Sequence, residues 1–150
     1  MVTWAYIEED APEFATRVRE LFNAGTNKTM ASLRHDGSPR ISGVELEFAD
    51  GDVILGMMPH SRKLQDVERD PRVAVHSPTL EPPEDPSAWP GDAKISGSLV
   101  AIDPPDEGGF PGAGYFAIDI TEVVLTHVIG KNLIVEYWHP GRGLQRLERE

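Results

Sequence analysis

The run Pro59-His60-Ser61-Arg62-Lys63 concentrates groups that hold phosphate: a hydroxyl, a guanidinium and an ammonium, set where a short apolar strand gives way to a helical pattern. A helix start adds free backbone N–H groups and the positive end of its dipole, so Ser61, Arg62 and Lys63 together could bind a dianion. The same residues could equally form a capped, solvated helix start, since Ser is a common cap and basic residues are common on surfaces. Arg40 is a second candidate, because it opens a hairpin arm that precedes Ser61 and its charge could reach the same ligand from an adjacent strand. An Arg in that position is otherwise an ordinary edge residue.

Other chemistries find little support. His35, His60, His76, His127 and His139 are scattered, with no helical His-x-x-x-His pair, so no metal site is expected. The chain has no cysteine, which removes disulfides and thiolate chemistry. No nucleophile-elbow, Walker or dinucleotide-binding glycine motif is present. Trp89, Tyr137 and Trp138 could stack on a ring, but aromatic residues in strands more often pack a core or an interface. The acidic clusters Glu81–Asp85 and Asp103–Glu107 read as solvated loop charge.

The elements that must position these residues follow from periodicity. Asp10 to Gly25 reads as one amphipathic helix capped by Asp10, with Phe14, Val18, Leu21 and Phe22 on one face. Thr29 to Arg34 is a strand that enters the turn His35-Asp36-Gly37-Ser38-Pro39, and the next arm starts at Arg40. Val44 to Phe48 alternates apolar and acidic residues, and Ala49-Asp50-Gly51-Asp52 turns it into Val53 to Met57. Ser61 to Asp70 predicts a short helix, ended by Pro71. Strands are expected at 72–77, 92–102, 115–128 and 133–138, with a five-proline loop over 78–91. The class is mainly β with short flanking helices, a barrel or sandwich in one domain spanning residues 1–150.

Composition bounds the partners. A formal net charge of −11 opposes binding to nucleic acid or anionic lipid, although a small anion needs only a few local donors. The start of the chain lacks a basic-then-apolar leader, and no stretch has the roughly 20 apolar residues of a membrane span, so a cytoplasmic protein is expected.

Three runs carry a family resemblance: Ser32 to Ser42, Asp50 to Leu55, and Ser61 to Val75. In order and spacing they resemble the first half of the pyridoxamine 5′-phosphate oxidase-like split barrels; Lys94 to Ser98 and Phe116 to Val123 are similar to later family strands, more loosely. The resemblance implies a split β-barrel of about six to seven antiparallel strands. It also implies a homodimer that holds FMN or a deazaflavin of the F-420 type in a groove between subunits, with haem ranked below them. By the same resemblance Arg40, Ser61, Arg62 and Lys63 approach the cofactor phosphate, while Ile41, Ser42, Leu55, Gly56 and Met57 line the ring and ribityl chain. The expected activity is oxidoreduction of a small molecule, and the alternative is a non-enzymatic flavin, deazaflavin or haem carrier. No catalytic acid or base is assigned.

The chain departs from the family pattern at three places. Glu45 stands where the oxidase itself has a lysine, Met57-Met58-Pro59 replaces polar residues before the Ser-Arg-Lys turn, and Asp92 and Lys94 stand near a later Gln-x-Arg contact. Oxidation of pyridoxamine phosphate is therefore not assigned.

Overall fold

Thr3 caps the first helix by accepting a hydrogen bond from the Tyr6 N–H, and Pro12 then forces a break. The computed structural model describes residues 1–150 and accordingly contains two N-terminal helices, α1 (Trp4–Asp10) and α2 (Pro12–Phe22), in place of the single helix expected from Asp10. Asp10 does not cap; its carboxylate accepts a hydrogen bond from the Trp138 indole at 2.8 Å. The apolar face of α2 is the expected one, with Phe14, Val18, Leu21 and Phe22 all buried. Helix α1 escaped notice because it buries only Trp4 and Ile7, too few positions to show a period.

Nine antiparallel strands follow: β1 (Lys28–Leu33), β2 (Pro39–Val44), β3 (Leu46–Ala49), β4 (Asp52–Met57), β5 (Arg72–His76), β6 (Asp92–Ala101), β7 (Gly114–Ile129), β8 (Asn132–His139) and β9 (Gly143–Arg149). Helix α3 (Arg62–Arg69) lies between β4 and β5. The count exceeds the expected six to seven for two reasons. The segment read as one strand over 44–48 is divided at Glu45 between β2 and β3, and β9 carries a polar sequence exposed along nearly its whole length. A strand with no buried face leaves no alternation to read.

The sheet runs β2-β1-β5-β6-β7-β4-β3, with β8 and β9 off this path. Strand β7 is the spine. One edge pairs with β6 from Phe116 to Thr126; the other pairs with β4 over Gly114–Ala117 and with β8 over Val123–Ile129. Strands β4 and β8 thus occupy successive stretches of that edge, separated by residues 118–122 of β7. The register between β6 and β7 slips at Ser96/Gly97, a bulge that sharpens the bend there.

The core is continuous from the helices into the barrel. Trp4 meets Phe48 edge-to-face at 4.9 Å between ring centroids, and Phe22 meets the same ring at 5.9 Å. Met30, Leu55, Ile95, Ile118, Ile120 and Leu125 fill the interior behind them.

Gly97 is required at the bulge by space. A Cβ there would lie 2.1 Å from the Asp119 carbonyl oxygen, whereas one at Gly43 on β2 would meet nothing within 4 Å. Gly97→Ala should destabilise by about 2–3 kcal/mol, the cost of overpacking a closed site. Gly43→Ala should stay within about 0.5 kcal/mol of wild type. Urea denaturation of both variants checks the contrast, and equal midpoints would refute it.

Candidate functional site

Ser61 caps α3 with its own side chain, its Oγ accepting from the Leu64 N–H at 3.3 Å. The residue before it, His60, has φ of 62°, a left-handed conformation that reverses the chain between β4 and α3. The turn leaves Arg62 exposed and without an ion pair or side-chain hydrogen bond. Lys63 reaches across to β2, where its Nζ donates to the Gly43 carbonyl at 2.8 Å. A neutral carbonyl satisfies one ammonium donor and leaves the charge uncompensated.

Arg40 is used differently. Its Nε donates to Asp66 Oδ2 at 2.6 Å, with the Asp66 side chain 5 % exposed and that of Arg40 24 %. Arg69 donates to the other carboxylate oxygen at 3.3 Å and to the Leu33 carbonyl, and Ser32 donates to Oδ2 at 3.3 Å. In this structure the Arg40 guanidinium compensates a buried carboxylate through its Nε. Burial pushes the Asp66 carboxyl upward, but hydrogen bonds from Arg40, Arg69 and Ser32 outweigh it and hold the group below its ordinary value of 3.8. Asp66 was the residue that sequence reasoning missed. Its only signal was a carboxylate between Leu64 and Val67, the two residues that bury the inner face of α3.

Two open grooves meet near this helix start, and the smaller one reaches it. One, of about 570 Å³, is lined by Gly43, Met57, Met58, Lys63, Phe110 and other residues. The second, of about 750 Å³, runs from Lys28 across Leu46, Ile54 and Leu55 to Asp103. Both touch Glu45, Gly56 and Tyr115, which mark where the two meet. Gly56 keeps that junction open, since a Cβ there would lie 3.2 Å from the Tyr115 ring. The Tyr115 hydroxyl in turn accepts from the Phe110 N–H at 3.2 Å.

Of the residues expected to contact a cofactor, the structure puts Gly56, Met57 and Lys63 on the smaller groove and Leu55 and Gly56 on the larger. Arg40, Ile41, Ser42, Ser61 and Arg62 line neither. Ile41 faces solvent at 76 % exposure on the outer side of β2. Ser61, Arg62 and Lys63 with the adjoining N–H groups carry donors that a phosphate needs, and Arg40 is bound through its Nε to Asp66.

Asp66→Asn should cost about 3 kcal/mol, because it leaves Arg40 without its countercharge. The sign with pH is fixed: a carboxyl held low in the folded state contributes stability above its unfolded value and loses it as pH falls through its folded value. Wild type should therefore lose its advantage over Asp66→Asn below about pH 4. Parallel acid titrations of the two proteins at constant temperature check this, and a constant stability gap down to low pH would contradict it.

Neither a family model nor a curated relative matches the sequence. Solved structures do match. A pyridoxamine 5′-phosphate oxidase-related FMN-binding protein from Nostoc punctiforme aligns at 9 % identity and TM-score 0.65, covering 93 % of this chain and 96 % of its own. A haem-binding protein from Mycobacterium smegmatis aligns at 13 % identity and TM-score 0.59, covering 88 % of this chain and 86 % of its own. An F-420 reductase aligns at 15 % identity and TM-score 0.51, covering 70 % and 94 %. The chain thus has the split β-barrel fold that these solved structures share.

Proposed function

We propose that this protein binds a flavin-type nucleotide, FMN or a deazaflavin of the F-420 type, and serves as an oxidoreductase for a small molecule. The observation that carries the reading is the uncompensated cationic helix start, Ser61-Arg62-Lys63, set beside a groove whose floor is opened by Gly56. A phosphate at that start would be met by the Arg62 guanidinium and by Lys63, whose present partner is a neutral carbonyl. Met57 and the glycine at 56 would then face the ribityl chain or the ring, and Tyr115 would close the far side.

When bound, the ring supplies the hydride or electron chemistry. The chain's own task is binding, orientation and access. Ser61 holds the helix start in place through its cap. Glu45, on the wall that both grooves share, sets a negative potential beside the ring position. The fold also occurs in a haem-binding protein, but neither groove is lined by a histidine that could serve as an axial ligand. A carrier that binds the same cofactor without turnover is separated from an enzyme by reduction of an added electron acceptor.

A second copy of the chain completes this reading. Ile41, Met58 and Phe110 expose 76 %, 53 % and 57 % of their surface beside the smaller groove or on the adjoining strand, an apolar area suited to a dimer contact.

Titration with FMN and with riboflavin isolates the phosphate contribution. Arg62→Ala and Lys63→Ala should each weaken FMN by about 1.5–3 kcal/mol while leaving riboflavin unchanged. Arg40→Ala should lower stability with no change in the FMN-to-riboflavin ratio. Absence of saturable binding of FMN or the deazaflavin to the folded protein would overturn the proposal.

A further inference from the structure

Lys28 stands on the inward face of β1, in the alternation that also buries Met30 and Ser32. It is 7 % exposed, far more enclosed than is usual for a lysine. Its Nζ has one protein partner, the Thr26 carbonyl at 3.2 Å, and no carboxylate lies within ion-pair distance. An enclosed ammonium without a countercharge is costly, and such groups are normally paired. Lys28 also lines the larger groove, at the end formed by the connection from α2 to β1. The flavin reading makes no use of it.

We propose that Lys28 is the anion-recognising residue of this groove and that the groove takes an apolar monocarboxylate. Three features define that class. The single ammonium matches one carboxylate. Leu46, Ile54, Leu55 and Ile102 supply apolar wall for the body of the ligand. Glu45, Glu47, Asp50 and Asp103 also line the groove, and they penalise a dianion more than a monoanion. Glu45, Glu47, Asp50 and Asp103 are exposed and screened by solvent, whereas Lys28 is enclosed at its end of the groove, so a carboxylate docked there meets the ammonium at contact and the acids through solvent.

The test uses the full chain without added cofactor, so its outcome is separate from that of the flavin titration. Protein carrying ¹³C at the lysine ε position is titrated with benzoate, benzyl alcohol and benzylammonium, with saturable shifts of the Lys28 resonance as the readout. Benzoate should bind saturably and at least ten-fold more tightly than benzyl alcohol, and it should shift the Lys28 signal. Binding should weaken at least ten-fold in Lys28→Met, followed through the backbone amides of Leu46 and Ile54, and should recover in part in Lys28→Arg. The comparison of the three ligands on wild-type protein stands even if Lys28→Met does not fold. No saturable benzoate binding, equal affinity for benzyl alcohol, tighter binding of benzylammonium, or undiminished binding in a folded Lys28→Met would each overturn the proposal.

Discussion

The candidate site depends on one buried carboxylate. Asp66 lies on the inner face of α3 and gathers Arg40 from β2, Ser32 from β1 and Arg69 from its own helix. Leu64 and Val67 supply the apolar contact of α3, but apolar contact alone does not fix how far a helix slides or turns on a sheet. The ion pair at 2.6 Å and the serine hydrogen bond do. With α3 fixed at its middle, its first turn is carried to the edge of β2, where Lys63 finds the Gly43 carbonyl. The orientation of the helix start therefore follows from a contact one turn further along.

The second constraint is geometric and belongs to β7. Because β4 and β8 share one of its edges, β4 and β3 lie along its N-terminal stretch while β8 and β9 lie along its C-terminal stretch. That leaves the strip from Glu45 to Gly56 facing an open space that Tyr115, at the start of β7, helps to wall. The bulge at Gly97 is part of the same construction, since it lets β6 accompany β7 through the bend. Groove and helix start come from opposite ends of the β4–α3 connection, and the left-handed His60 joins them.

Much of this was legible in the sequence, and what was not had a physical reason. The α3 helix, its Ser61 cap, the buried face of α2 and the hairpins at Gly37 and Gly51 follow from local rules of capping, period and turn chemistry. Strand β9 and the break at Glu45 did not, because pairing in them is decided by neighbours far away in the chain. The same holds for charge. Arg40 and Lys63 look alike as isolated basic residues, and only the fold shows that one meets a carboxylate 26 positions away while the other meets a carbonyl. Lys28 was not singled out, since a lysine at the start of a strand reads as exposed.

That difference in partners decides which cations remain available. Arg40 and Arg69 share the single carboxylate of Asp66, so their cluster keeps one net positive charge, spread over two guanidiniums rather than presented at one point. A carbonyl is only a dipole, and Lys63 beside Gly43 still presents almost a full charge. Bare charges at 4 Å interact by about 4 kcal/mol at an effective dielectric of 20, and by about 1 kcal/mol in bulk water. A protein of net charge −11 can thus still hold a small anion, provided that its few uncompensated cations border partly enclosed space. Lys63 at the smaller groove and Lys28 at the larger meet that condition, while Arg40, the most conspicuous cation of the hairpin, borders neither groove and is bound to Asp66.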